Sequence, residues 1–295
     1  RMTLRAKQSV GVLTLRFAES LNVSSVTSDE FGRLLFLRVK NQNSLLVNLP
    51  WPVARDFPLS LTITYSGRLE RQRVQDESIE VDQRNSQPDD LPYVPSEPKW
   101  LFSNRNYWYP QNQVTDYATA RFQITVPYEY HVVASGILDP YSPAAAASAR
   151  LVNSTRVVPR VSYSFTTPQP VRYLGFVVSK MSRVDVATVA LDIEIKAPSA
   201  PDMQGAHTLQ QQLNRLAQMV TATPPVGGRN TMQLNVDANR RQEGKSRDAI
   251  VTAAEILRLY STVLGDAPYG ALSLAMVEDE FSGGHAPGYF ALFNN

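Results

Sequence analysis

The sequence predicts a mainly β chain: an antiparallel β-sandwich that gives way near its carboxyl end to α/β texture. Three observations point there. Short apolar runs broken by proline, glycine and asparagine recur from the start to about Ala197, the pattern of many short strands joined by turns. Within these runs apolar and polar residues alternate, the period of a half-buried strand. From Pro198 the apolar spacing changes to three and four, the helical period.

The elements follow in order. Val10 to Phe17 alternates, and Leu34–Val39, Leu45–Leu49 and Leu59–Tyr65 repeat the pattern. In the last of these, Leu61, Ile63 and Tyr65 share one face and Thr62 and Thr64 the other. Asp82 to Lys99 carries Pro88, Pro92, Pro95 and Pro98. Proline lacks the N–H that a central strand must donate, so this stretch reads as a surface loop or crossover. Further strands are expected over Ala120–Val126, His131–Ile137, Val157–Phe165, Tyr173–Val178 and Val186–Ile195, with Ala144–Ala149 a small-residue loop.

Beyond Pro198, Leu209, Leu213, Leu216 and Val220 form one stripe of an amphipathic helix, ended by Pro224-Pro225 and Gly227-Gly228. Met232–Val236 reads as a strand and Asn239–Ser246 as a polar connection. The clearest helix runs from Arg247 to Leu264. Ser246 is its expected N-cap, Asp248 lies near the positive dipole end, and Gly265 suits the left-handed stop. Ile250, Ala254, Leu257 and Leu264 are its expected buried stripe. Leu272–Val277 reads as a buried strand, and Ser282-Gly283-Gly284 as a glycine loop leading into the apolar run Tyr289–Phe293. Two domains are expected, residues 1–239 and residues 240–295, the second unfinished.

Composition narrows the function classes. With 29 Lys+Arg against 27 Asp+Glu, the net charge of +2 gives no strong field. Nucleic acid or anionic membrane therefore loses its usual electrostatic support. The absence of cysteine excludes disulfide scaffolds, thiolate zinc sites, Fe–S clusters and cysteine nucleophiles. No run approaches the ~18 apolar residues that cross a bilayer, and no signal-peptide core follows Arg1. Both ends read as cut from something longer.

The histidines, His131, His207 and His285, are far apart, and no HExxH occurs. Two imidazoles at i, i+4 would share a helical face and hold a metal; no pair here has that spacing. His131 and His207 read as structural or surface residues. His285 is placed more suggestively, because Gly283-Gly284 permit close backbone approach and Pro287 fixes the next turn. Glu278-Asp279-Glu280 is a carboxylate cluster able to bind a cation or an amine, although such runs are more often solvated loops. The aromatic string Trp100-Leu101-Phe102 and Tyr107-Trp108-Tyr109-Pro110 is either a stacking platform for sugars or bases or a core plug, and without a basic surround core packing is favoured.

Several motifs in this order resemble the zinc aminopeptidase family of membrane alanyl aminopeptidase and leukotriene A4 hydrolase. Asn104 to Pro110 followed by Ala120 to Pro127 looks like its aromatic-proline turn feeding a sandwich strand, and Val133-Ala134-Ser135-Gly136 like the next strand. Phe165-Thr166-Thr167-Pro168 with Tyr173 to Val178 resembles the strand pair closing its amino-terminal domain. Ala254 to Tyr260, Leu264-Gly265-Asp266-Ala267-Pro268-Tyr269 and Leu272 to Glu278 look like the first helix, turn and strand of its thermolysin-like catalytic domain.

The resemblance implies that Gly283, Gly284, His285, Ala286, Pro287, Gly288 and Tyr289 form the edge that flanks a peptide or protein substrate. His285 and Ala286 stand where the family carries its amine-binding glutamate motif, so the charge partner of a substrate α-ammonium is missing. The family's zinc is held by HExxH and a distant glutamate, which the resemblance places beyond Asn295. It thus implies metal-assisted peptide hydrolysis for a complete polypeptide, with this chain inactive alone. Two rival expectations are a peptidase-like scaffold without catalysis and a carbohydrate-binding sandwich using Trp100, Tyr107 and Trp108. The cysteine-free, proline-rich composition leans slightly toward a bacterial extracytoplasmic setting.

Overall fold

The computed structural model describes residues 1–39, 41–69, 97–112, 116–150, 157–191, 231–264, 267, 269–278 and 284–294. The expected Leu209 helix, His207, the proline-rich stretch before Glu97, Gly265 and Gly283 lie outside the described residues. Among the described residues no helix is long and apolar enough to cross a membrane.

The amino-terminal region is a sandwich of two antiparallel sheets. One holds β1 (Met2–Arg5), β3 (Leu21–Ser28), β4 (Gly32–Arg33) and β7 (Pro58–Gly67) in the order β1-β7-β3-β4. The other holds β2 (Val10–Arg16), β5 (Leu35–Val39), β6 (Ser44–Val53) and β9 (Gln111–Asn112) in the order β5-β6-β2-β9. Leu15, Phe17, Leu45 and Val47 meet Val26, Leu59 and Leu61 in the core between them. Along β7, Leu59 and Leu61 are buried while Thr62 and Thr64 are exposed, the alternation that one covered face requires.

Three further sheets and a helix stack behind it. The first contains β10 (Ala118–Pro127), β12 (Ile137–Leu138), β13 (Ala144–Arg150) and β14 (Val157–Val171), with β14 central. The second has β8 (Lys99–Phe102), β11 (His131–Ala134) and β15 (Phe176–Ser179) in the order β11-β15-β8. The third is mixed and five-stranded: β16 (Met181–Ala190), β17 (Thr231–Asn239), β18 (Ala271–Val277), β19 (Gly284–His285) and β20 (Phe290–Asn294), in the order β16-β17-β18-β20-β19. Helix α1 (Ser246–Leu264) links β17 to its parallel neighbour β18.

The three-stranded sheet is a middle layer covered on both faces. Val132, Ala134 and Val178 pack toward Val126, Val161, Tyr163 and Phe165 of the β14 sheet. Their neighbours Val133, Val177 and Leu101 pack the other way, against Ala275, Val277, Phe290 and Leu292. A strand buried on both sides has no polar face to alternate with, which is why Val132-Val133 and Val177-Val178 read as continuous apolar pairs. The far face of the five-stranded sheet, with Leu234, Val236, Leu274 and Met276, is covered by α1 through Ile250, Ala254 and Leu257.

Several expectations need correction. Ala144–Ala149 is a strand: β13 pairs with β14 from Ala144↔Ser162 to Arg150↔Val157, with an irregularity between Ala146 and Ala149. Small exposed side chains hid it, and backbone pairing alone sustains it. The run His131–Ile137 is broken because Gly136 takes φ 113°. A Cβ there would stand 2.8 Å from the Thr166 carbonyl oxygen, so only glycine fits. Ser246 is not a cap: it adopts right-handed helical geometry and its hydroxyl donates to the Glu243 carbonyl. Leu264 is 70% exposed and leaves the expected stripe. Strand β3 went unread because a bulge between Val23 and Ser25 breaks its two-residue period. Apart from these corrections, β16 and β17 share a sheet with β18 and β20, on either side of position 239/240.

One charge sits in this apolar stack. The Asp237 side chain, opposite in direction to Val236 and Ala238 on β17, is fully buried. Arg183 grips it with Nε at 3.1 Å from Oδ1 and Nη2 at 3.2 Å from Oδ2. His131 places Nε2 at 2.9 Å from Oδ1. Burial pushes the carboxyl up, but His131 and Arg183 together outweigh it and hold Asp237 below the usual carboxylate range. With a depressed folded-state value, ionised Asp237 stabilises the fold above its unfolded value of about 4, and that contribution disappears as pH falls through the folded value. Asp237→Asn is expected to cost about 3 kcal/mol near neutral pH and to flatten the acid limb of stability against pH. Urea midpoints of both proteins across that range measure it, and unchanged midpoints refute it.

Candidate functional site

The carboxyl-terminal edge of the five-stranded sheet is built from residues 284–294. Parallel β18 and β20 pair from Ser273↔Phe290 to Val277↔Asn294. Antiparallel β19 then closes the sheet through Gly284↔Phe293 and His285↔Leu292. Among the described residues β19 is the last strand in its sheet, so its outer side is an edge there. Glycine at 284 follows from crowding: an added Cβ would lie 3.0 Å from the Leu292 carbonyl oxygen.

The nominated residues divide by burial. Gly284 and Ala286 are exposed, whereas the His285 imidazole turns inward and is buried. Pro287 is also buried and packs on Gly175, just before β15; a Cβ on Gly175 would stand 3.0 Å from Pro287 Cγ. Gly288 and Tyr289 both take left-handed backbone, φ 90° and 65°, and Tyr289 is 1% exposed. Its phenol oxygen accepts from the Gln169 N–H at 2.9 Å and lies 2.7 Å from Gln169 Oε1. Its carbonyl accepts from Ser273 N–H at 2.8 Å, and its ring packs 4.3 Å from that of Tyr269. Burial pushes the Tyr269 phenol up. Tyr289 therefore pins the loop to β14 and β18, and leaves main-chain groups around Gly284 and Ala286 at the edge.

Glu278, at the end of β18, departs from the solvated-loop expectation. Its side chain is only 7% exposed. It accepts from the Glu97 N–H at 3.2 Å and from Arg241 Nη1 at 3.4 Å, tying the approach to β8 onto the sheet. Asp279 and Glu280 lie outside the described residues.

The aromatic string is half-buried and its rings pack on one another and on neighbouring strands, with Leu101 fully buried. Trp100 meets Tyr130 edge-on, Phe102 stacks on Phe176, and Trp108 lies against Tyr109, Phe122 and Phe176. The Tyr65 hydroxyl donates to the Trp108 carbonyl at 2.9 Å, and the Leu174 N–H donates to Tyr109 Oη at 3.1 Å. A cleft of about 1470 Å³ opens beside Trp108, Tyr65, β1 and Arg121, away from residues 284–289. Its polar and apolar walls bring no catalytic set together.

Among the described residues no zinc centre is assembled. Among the described residues no three His, Asp or Glu side chains gather into a metal-binding group, and the three histidines of the sequence include no HExxH. The buried Asp237–His131–Arg183 cluster carries a cation of its own and is no vacant ligand set. Sequence reasoning missed that cluster, because its members lie on three separate strands with no local spacing to mark them.

No family model matches the sequence, and no curated protein matches it. Solved structures share its fold. A variant of a two-domain M1 zinc metallopeptidase bound to L-arginine superposes with a TM-score of 0.60 at 17% identity, over 99% of this chain and 54% of that one. The M1 zinc metallopeptidase from Deinococcus radiodurans gives 0.55 at 18% identity, over 98% and 53%. A variant of the Deinococcus radiodurans enzyme bound to a Tyr-Ser-Ala substrate gives 0.59 at 17%, over 98% and 54%. The chain thus spans about half the length of these structures.

Two substitutions test the pinning of the loop. Tyr289→Phe removes the hydroxyl that Gln169 uses and is expected to cost about 1–3 kcal/mol, since it leaves buried polar groups unpaired. Gly175→Ala forces Pro287 outward and is expected to cost about 1–3 kcal/mol by overpacking. Urea denaturation gives the loss, and proteolysis within residues 284–289 should rise in both variants; no change in either measure removes the assignment.

Proposed function

We propose that this chain is the amino-terminal portion of an aminopeptidase-like zinc metallopeptidase and supplies the substrate-flanking edge and one wall of the cleft. The observation that carries this reading is the short antiparallel strand β19 closing a mixed sheet, with glycine at its start and a pinned loop behind it. Its support is the fold shared with M1 zinc metallopeptidases.

An extended peptide can add to such an edge by main-chain hydrogen bonds, alternate side chains pointing to and from the sheet. Gly284 and Ala286 present exposed backbone for that pairing. His285 orients the strand by burying its ring, while Pro287 and Tyr289 hold it from behind. Peptide-bond hydrolysis belongs to the complete polypeptide, with zinc held by residues outside this chain; the chain alone contributes binding and orientation. A second reading, a peptidase-like scaffold without catalysis, is favoured by the side chains of the loop. His285 and Ala286 offer no carboxylate to a substrate ammonium.

The polypeptide extended past Asn295 is expected to cleave peptides and to stop when zinc is chelated, while residues 1–295 alone cleave nothing. Metal-independent cleavage, or none, would favour the scaffold. In an active extended protein, Gly284→Val pushes β19 from Leu292 and is expected to raise KM about tenfold, the loss of about 1.4 kcal/mol of binding. An unchanged KM separates β19 from the substrate.

A further inference from the structure

The cleft of about 1470 Å³ beside Trp108 has no part in the peptide edge at β19, and residues 284–289 do not line it. Two sheets end in it. Residues 1–8 and 116–122 border the space as unbroken runs. A strand that turns one face to a cavity contributes every second residue, so an unbroken run means that the strand's side, with its main-chain groups, borders the space. The strand orders agree. Among the described residues β1 pairs only with β7 and β10 only with β14, so each is the last strand of its sheet.

Charge is unevenly distributed around this space. Arg1, Arg5, Lys7, Arg121 and Arg172 border it, against Asp56 and Asp116. Both acids already have cations: Asp116 lies 3.0 Å from Lys7, and Asp56 lies 3.5 Å from Arg55. Arg1 is paired with Asp29. Arg5 on β1 and Arg121 on β10 are exposed and make no ion pair among the described residues. Each of the two strands therefore brings one unneutralised cation to the cleft. Leu13, Ile63, Tyr65 and Trp108, all half-buried, add apolar surface.

We propose that this cleft takes an extended acidic polypeptide segment, which adds as a strand to β10 and sets its carboxylates against Arg121 and Arg5. β10 is the better template of the two, with ten residues against four in β1. Unpaired N–H and C=O groups along a strand are satisfied by another backbone, which an acyl chain or a lone anion does not supply. Edge strands are ordinarily guarded by charge. Here the unpaired charge has one sign, so it repels a basic strand and admits an acidic one. Alternation in the added strand turns its carboxylates to one side and its apolar residues to the other. The Lys7–Asp116 pair joins the approaches to β2 and β10 and is exposed on both members, with 84% and 60% of each side chain accessible. Such a pair is weak, so Lys7 is free to exchange Asp116 for an incoming carboxylate.

Two fluorescein-labelled octapeptides, one alternating Glu and Val and the other Lys and Val, test this on residues 1–295. Anisotropy gives the affinity and hydrogen exchange gives the place. The Glu-Val peptide is expected to bind at least about tenfold more tightly than the Lys-Val peptide, and to weaken several-fold between about 50 and about 300 mM salt. Arg121→Glu, a change at an exposed position, is expected to weaken it about tenfold, while Arg121→Lys keeps most of the affinity. Exchange in β10 is expected to slow several-fold when the Glu-Val peptide is present. Equal affinity for the two peptides, or binding indifferent to Arg121→Glu, refutes the proposal. Protection that falls on residues 284–294 instead of β10 places the added strand at β19 and refutes it as well. Decanoate has no amides to pair; if it protects β10 equally, the cleft holds an anionic amphiphile and strand addition is overturned.

Discussion

A sheet with no free face governs this architecture. β8, β15 and β11 are covered on one side by the β14 sheet and on the other by β18 and β20, so their buried apolar residues face one wall or the other. Packed sheets stand about 10 Å apart and interdigitate at crystal-like density. A displacement of either outer sheet therefore has to be passed through the middle one. Gly175, at the entrance to β15, touches Pro287 of the carboxyl-terminal loop. The layer that fixes the wall thus also fixes the height of the edge strand, and its position is set by packing rather than by the loop's own preferences.

Within that stack the Asp237 cluster is the exception that gives the layers a register. Apolar side chains at an interface tolerate sliding, because their contacts are non-directional. A carboxylate held by Arg183 of its own sheet and approached by His131 of the next tolerates little, since sliding draws the imidazole away from a buried charge. The cost of burying Asp237 is offset by partners from two different sheets, so the cluster stabilises only one relative placement of them. This is the role for which buried ionic groups are best attested: selecting one arrangement rather than adding bulk stability.

The sequence was legible where period and burial agree. β7, β10, β17, β18 and α1 show a covered face opposite a wet one, or a run bounded by clear stops, and their textures could be read. It failed where one local rule conflicted with pairing. β13 is made of alanines that no propensity places in a strand, yet β14 offers it a partner. β3 lost its alternation to a bulge. At the edge, the glycines were legible through their steric meaning, but the inward turn of His285 was not. A two-residue strand has no period, and its orientation is set by Leu292 across the pair. The polar junction was illegible for a simpler reason, since Arg183, His131, Tyr163 and Asp237 converge only in three dimensions.

The burial of His285 bears on what an edge of this kind can discriminate. Main-chain pairing recognises any extended peptide and is indifferent to sequence; selectivity needs side chains placed at the ends of the pairing. On this rim the side chains that point outward are a hydrogen and a methyl, at Gly284 and Ala286, and the imidazole is withdrawn. Glu278 is spent on Arg241 and on the Glu97 amide, leaving its carboxylate engaged from two directions. Among the described residues this edge presents no charged side chain that could pair with a terminal ammonium. If a peptide lies there, the choice of which bond is presented must come from elsewhere, and the geometry of β19 would serve equally well in a protein that only binds. What separates a peptidase from a scaffold on this fold is therefore not the edge itself but the charges arranged across from it.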